Sequence, residues 1–206
     1  MRRAFGKGWR NVDVEETIKA ALENDCRRFD LFYMIGLAKQ DRKSVMDTVD
    51  YSVRLMKEYG GKSGLHPHIS PLAPFIDPGS EVFERPDDYG YKLFCRTLEE
   101  HRKALLSPSW SQMLSYETKW LDRREIVDAT YEAALGFNEM KRECGLISSE
   151  VADQVGARTK RDMSLVEDIE RRTQEHGGAS WEQDEKELSM AATCLKEELQ
   201  WPARSF

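Results

Sequence analysis

The run Phe29-Asp30-Leu31-Phe32-Tyr33-Met34-Ile35 is almost wholly aromatic or aliphatic and is closed by Gly36, which predicts a strand over 29–37. Both of its faces are largely apolar, the pattern of a strand buried on two sides in a helix-covered parallel sheet. Upstream, Asp13 and Glu16 make a capping-box pattern, and Val14, Ile18, Ala21 and Leu22 recur at helical spacing, so a helix is expected over 14–24. Downstream, Val45, Val49, Ser52, Val53, Met56 and Tyr59 mark a helix over 41–59, stopped by Gly60 and Gly61. A second, proline-broken strand is expected over 65–72. Strand, long connection, strand is a parallel crossover unit, right-handed in nearly all known proteins, and predicts α/β architecture.

The pattern then changes. Pro74, Pro78, Gly79 and Pro86 predict an extended, turn-rich loop over 73–89, a length usually reserved for functional or mobile loops. From Tyr91 the spacing of Phe94, Leu98, His101 and Leu105 predicts a helix ending at Pro108, followed by an aromatic-rich connector with Trp110, Met113, Leu114, Tyr116 and Trp120. Asp122 and Glu125 form a second capping box. Ile126, Thr130, Ala133, Phe137, Met140 and Cys144 continue it as a long helix with Gly145 as its stop. Two further amphipathic helices are expected, one through Val151, Val155, Leu165, Val166 and Ile169, the other through Leu188, Ala192, Leu195 and Leu199. A flexible joint at Gly177 and Gly178 would separate them.

Composition narrows the function classes. The 206 residues are 40% hydrophobic, enough for a real core. The longest apolar stretch, 31–38, is far shorter than the roughly 20 residues of a spanning helix, so no membrane is expected. From Ser148 onward there are 13 Asp/Glu against 8 Lys/Arg, so most of the formal charge of -6 sits in that acidic tail. A nucleic-acid surface would need Lys and Arg gathered on one face, and none is expected here. Cys26, Cys95, Cys144 and Cys194 lie far apart without paired spacing, which reads as reduced thiols in a cytoplasmic setting. The first residues lack a secretory core and look like the middle of a protein.

Asp30 is the most informative single residue, because a carboxylate in a strand made for burial is costly unless paired or hydrogen-bonded. By alternation it shares a face with Phe32 and Met34, opposite Leu31, Tyr33 and Ile35. Two readings stand: a cofactor-binding carboxylate beside an apolar surface for a flat ring, or a strand-end Asp paired with Arg27 or Arg28. His66 and His68 alternate onto one strand face, either as a pair of metal ligands lacking an evident third or as ordinary polar strand residues or active-site lining. The second is favoured, and no metal site is assigned. Tyr116, Glu117 and Trp120 read as packing residues, with a substrate role as the alternative.

The strand with Asp30, then Gly36-Leu37 and Gln40 before a helix, resembles the D-x-x-x-x-G-L-P-x-Q-T strand-loop-helix of radical S-adenosylmethionine (SAM) barrels. Arg2-Arg3-Ala4-Phe5-Gly6-Lys7, the run from His66-Pro67-His68-Ile69-Ser70-Pro71-Leu72 to Pro78-Gly79-Ser80, and Tyr89-Gly90-Tyr91-Lys92-Leu93-Phe94 resemble a subgroup with an N-terminal cobalamin-binding domain. The stretch 110–130, with Tyr116-Glu117-Thr118, is similar to that subgroup too. Ala38 stands where the family has Pro, and Asp41 where it has Thr.

The resemblance implies the C-terminal part of a partial (β/α)6 barrel, about two parallel strands with covering helices, followed by a mostly α-helical extension. It divides the chain into barrel residues 1–90, a helical region 91–147 packing on the barrel, and the acidic helical tail 148–206. It implies SAM contacts at Asp30, Phe32 and the backbone over 69–72, Leu72 included. These are cofactor contacts, and no catalytic residue is assigned. In the complete protein it implies SAM, a four-iron four-sulfur cluster and, in that subgroup, cobalamin, acting on a small-molecule substrate. The family's cluster hangs from C-x-x-x-C-x-x-C, and no cysteines here stand at that spacing. The expectation is a chain that binds no cofactor tightly alone, whose N-terminal barrel half comes from the same gene or from a separate chain. The rival is a non-catalytic helical interaction module.

Overall fold

The computed structural model describes residues 8–60, 64–71, 75–107 and 109–176. They form a mixed α/β fold that is mostly helical, with a few short strands. In chain order the elements are α1 (Asn11–Glu23), β1 (Phe29–Ile35), α2 (Arg42–Tyr59), β2 (Leu65–Pro71), α3 (Glu81–Glu84), α4 (Pro86–Tyr89), β3 (Tyr91–Leu93), α5 (Leu98–Leu105), α6 (Trp110–Met113), β4 (Tyr116–Thr118), α7 (Arg123–Glu143) and α8 (Ser149–His176).

β1 and β2 pair in parallel, with Phe29 opposite Leu65, Phe32 opposite His68 and Ile35 opposite Pro71. The crossover expected from the sequence is therefore present. α2 starts where Asp41 caps it, its carboxylate accepting the Ser44 N–H at 2.8 Å. α7 starts where Asp122 and Glu125 exchange side-chain-to-backbone hydrogen bonds of 2.8 Å in both directions, the expected capping box. Gly145, in the left-handed region at φ 70°, follows the end of α7.

Both α2 and α7 contact β2, and α7 lays Phe137 edge-on to Tyr33 at 6.1 Å between ring centroids. The two helices meet closely at Gly136, where an added Cβ would lie 2.8 Å from a Val49 methyl. That contact explains a glycine in the interior of a long helix, where it otherwise costs about 1 kcal/mol. α8 packs on α7, with Asn138 donating to the Ala152 carbonyl at 2.8 Å. One cluster of buried residues runs from Ile18 through Leu114 and Ile126 to Val166, so the core joins all three sequence segments.

Several expectations are corrected. α1 begins at Asn11, because Asp13 serves as the third helical residue and accepts the Arg10 backbone N–H at 2.6 Å. β1 is not buried on both faces: Ile35 is fully buried, but Phe32 is 63% exposed. The segment after Asp77 is not all loop. Ser80 caps α3 through the Phe83 N–H, and Pro86 opens α4 with its missing donor at a position where none is needed. Tyr91 is in a strand rather than a helix, paired antiparallel with Thr118, because Gly90 at φ 73° ends α4 and turns the chain. The helical spacing that began the expected helix at Tyr91 belongs to α5 only from Leu98, and α5 buries none of its residues. On α8, Val166 and Ile169 are buried as expected, whereas Val151 and Val155 are exposed. The helix expected through Leu188, Ala192, Leu195 and Leu199 lies outside the described residues. Among the described residues no helix is long and apolar enough to cross a membrane.

Candidate functional site

The residues singled out in the sequence meet on the more open face of the β1–β2 pair. Parallel register places Asp30 opposite His66 and Phe32 opposite His68, so Asp30 and His68 are diagonal neighbours on one side of the sheet. The other side carries Leu31, Tyr33 and Ile35 towards the helices. On the open side, His68 Nε2 lies 3.2 Å from Asp30 Oδ1, and the Phe32 and His68 rings stack with centroids 5.2 Å apart at 19°. Arg28 Nε reaches both Asp30 oxygens, at 3.0 and 2.9 Å. Asp30 is thus paired as the strand-end reading expected, with Arg28, and has His68 as a second partner that the sequence did not indicate. Leu72 lies outside the described residues.

Electrostatics set the charge states of Asp30 and His68. Burial works against ionising Asp30, but the Arg28 and His68 hydrogen bonds outweigh it and hold the carboxyl below its ordinary value. Burial, helped by the positive charge of Lys141 on α7, pushes the His68 imidazole below its ordinary value despite the neighbouring Asp30. An ionised Asp30 therefore accepts from a neutral His68 at neutral pH. The unfolded chain takes up the His68 proton near pH 6.5 and the folded chain only lower, so His68 contributes stability above that pH which is lost as pH falls towards its folded pKa. Asp30 acts lower, contributing stability above its ordinary 3.8 that is lost as pH falls through its depressed folded pKa. Urea unfolding between about pH 8 and about pH 5 is expected to show a steeper loss of stability in the wild type than in His68→Gln. Equal slopes would mean that His68 is not held neutral by its surroundings.

The end of β1 is held by residues of three elements. Gly36 turns the chain at φ 89°, and Lys39 follows at φ 62°. The Gln40 side chain, 2% exposed, spans the turn: its Oε1 accepts from the Gly36 N–H at 2.9 Å and the Leu37 N–H at 3.1 Å, while its Nε2 donates to the Met34 carbonyl at 3.1 Å. Tyr91 donates its hydroxyl to the Gly36 carbonyl at 2.9 Å, and the Tyr116 ring closes over Gly36 from β4. The motif Gly-Leu-x-x-Gln is thus a self-latching turn. Ala38 is compatible with it, as a 1% exposed core residue.

Comparison with protein-family models, with curated proteins and with solved structures gave no match in any of the three.

The remaining candidates separate from this face. Tyr116 is fully buried and Glu117 forms an ion pair with Lys92 at 2.8 Å. Trp120 lies across Gly90, where an added Cβ would come within 2.7 Å of its ring. Cys26 donates to the Arg28 carbonyl before β1, Cys95 is buried after β3, and Cys144 caps α7. The sequence reading missed the latch and the Asp30–His68 link. Gln40 was visible only as a motif letter, and the separation of 38 positions between Asp30 and His68 is bridged only once strand register is known.

Proposed function

We propose that this chain is the C-terminal part of a radical SAM protein, contributing two strands and their covering helices to a barrel that binds SAM and a small-molecule substrate. It is not catalytically competent alone. The other barrel half, with the cluster-binding cysteines, comes from the same gene or from a separate chain. The observation that supports this reading is the parallel pair β1–β2, packed by helices on one side and carrying Asp30, the 63% exposed Phe32 and His68 on the other. A parallel sheet is ordinarily covered on both faces, so an open face on the strand that resembles the family's SAM-binding strand fits a surface completed by further chain. In the completed protein, Phe32 offers SAM a flat apolar surface, and the four-iron four-sulfur cluster and the subgroup's cobalamin are held outside these residues.

Asp30→Ala in the completed protein is expected to weaken SAM binding roughly tenfold, the scale of one hydrogen bond to a charged group, measured by calorimetric titration. Unchanged affinity would return Asp30 to a purely structural role. Anaerobic reconstitution of this chain with iron and sulfide is expected to give no cluster absorbance near roughly 400 nm. A stoichiometric, SAM-responsive cluster would overturn the proposal.

One observation favours a second reading, a helical interaction module or the subunit that completes a split enzyme. α5 leaves Leu98 88% exposed and Leu106, just past its end, 73% exposed, an apolar edge suited to a protein partner. In-frame codons for the cluster motif upstream of Met1 would exclude the module, and the same codons in a neighbouring reading frame would favour the split enzyme.

A further inference from the structure

α5 is a helix without a buried side. None of its eight residues is buried, and Leu98, Leu105 and Leu106 stand exposed along one stripe that runs from its first residue to just past its end. A helix this short does not hold by itself, and in folded proteins it is stabilised by packing an apolar face. The supports of α5 are the capping box of Thr97 and Glu100, the edge-on contact of His101 with Phe75, and its neighbour α6. All three leave the leucines uncovered. The last two turns of α8 arrive at this corner: Ser111 Oγ on α6 donates to Glu170 Oε1 at 2.7 Å, and Gln112 Nε2 donates to Thr173 Oγ1 at 3.0 Å. Leu106 stands six positions before Gln112, so it lies within about 20 Å of that contact.

We propose that the leucine stripe of α5 is a docking surface for segment 188–199 of this same chain, packed against it as an antiparallel helix. The 30 residues 177–206 lie outside the described residues, and 188–199 carries Leu188, Ala192, Leu195 and Leu199 at helical spacing. An amphipathic segment of these twelve residues is marginal as a helix in water until its apolar face is covered. The eleven residues 177–187 reach up to about 35 Å, enough to pass from the end of α8 to either end of α5, itself about 12 Å long. Charge favours the antiparallel arrangement. The stretch 177–206 holds six Asp/Glu against three Lys/Arg, and with Leu188 against Leu105 and Leu106 its Glu185 and Glu187 come beside Arg102 and Lys103 in the last turn of α5. Among the described residues those two cations have only the exposed Glu99 as an ion-pair partner. The inference is independent of the barrel reading, and it assigns to the chain itself an edge that an outside protein would otherwise use.

The test is hydrogen exchange of the full chain, read by mass spectrometry on its peptides. Amides of 188–199 are expected to exchange roughly tenfold more slowly than in a free peptide of the same sequence. A variant carrying Leu98→Ser and Leu106→Ser should lose most of that protection while α7 keeps its own, since both leucines are exposed and their loss leaves the core intact. The reciprocal variant, Leu195→Ser with Leu199→Ser, changes no described residue and should speed exchange over 98–106 roughly fivefold. Exchange of 188–199 at the free-peptide rate would overturn the proposal and leave the edge to another protein. Protection that survives the α5 substitutions would place the segment elsewhere, and protection that falls on dilution would make the occupant a second copy. Either result sinks docking within one chain.

Discussion

Gly36→Ala is expected to lower the unfolding free energy by about 2–4 kcal/mol, from a strained left-handed backbone together with an overpacked contact. The backbone at Gly36 has φ 89°, a region that side chains other than glycine rarely adopt. An added Cβ would also lie 2.8 Å from the Tyr116 hydroxyl oxygen and 3.2 Å from its Cε2. Tyr116 is fully buried, with the Tyr91 ring 5.7 Å away, so the clash has little room to relax. The alternative, a rotation of the turn, would break the Tyr91 hydrogen bond to the Gly36 carbonyl. Urea unfolding followed by circular dichroism measures the change. A loss under about 1 kcal/mol would mean that the β3–β4 pair yields and does not clamp the turn.

Gln40→Ala should cost a similar amount, about 2–4 kcal/mol, because removing one side chain strands three backbone groups at once. The Gly36 and Leu37 N–H groups lose their acceptor and the Met34 carbonyl loses a donor. At 2% exposure Gln40 leaves its partners in a place where water enters only by opening the turn. Hydrogen exchange provides a separate readout. The Gly36 and Leu37 amides should become the fastest-exchanging positions at the end of β1, while amides in the middle of α7 keep their protection. Slow exchange at both amides in the variant would show that another group replaces Gln40.

Both substitutions act on one point, the end of the strand that carries Asp30 and Phe32, and they reach it from opposite directions. Gln40 belongs to the same short segment as Gly36 and could be read from a motif. Tyr91 and Tyr116 come from an antiparallel strand pair far along the chain, and no periodicity in the sequence relates them to Gly36. A similar split runs through the fold. The capping box at Asp122 and Glu125 was legible because a helix start is decided within one turn of chain. The parallel pairing of β1 with β2 was legible because a long helical connection between two apolar strands leaves few other arrangements. The strand at Tyr91 was not. Three residues beside a helix-like spacing carry too little local signal, and their conformation is set by pairing with Thr118 and Tyr116.

What the sequence determined by itself is therefore local: where α2 and α7 begin, that 29–35 is extended, that Asp30 lies on the Phe32 side of it, and that no cysteine spacing suits a cluster. Tertiary structure alone decided that one side of the strand is packed and the other left open, that His68 reaches Asp30, and that two tyrosines close on Gly36. The physical reason is range. Caps, turns and alternation are set by backbone hydrogen bonds and sterics within a few residues. Register and burial depend on which distant surfaces exclude water together, and that sum is complete only when the whole chain has packed.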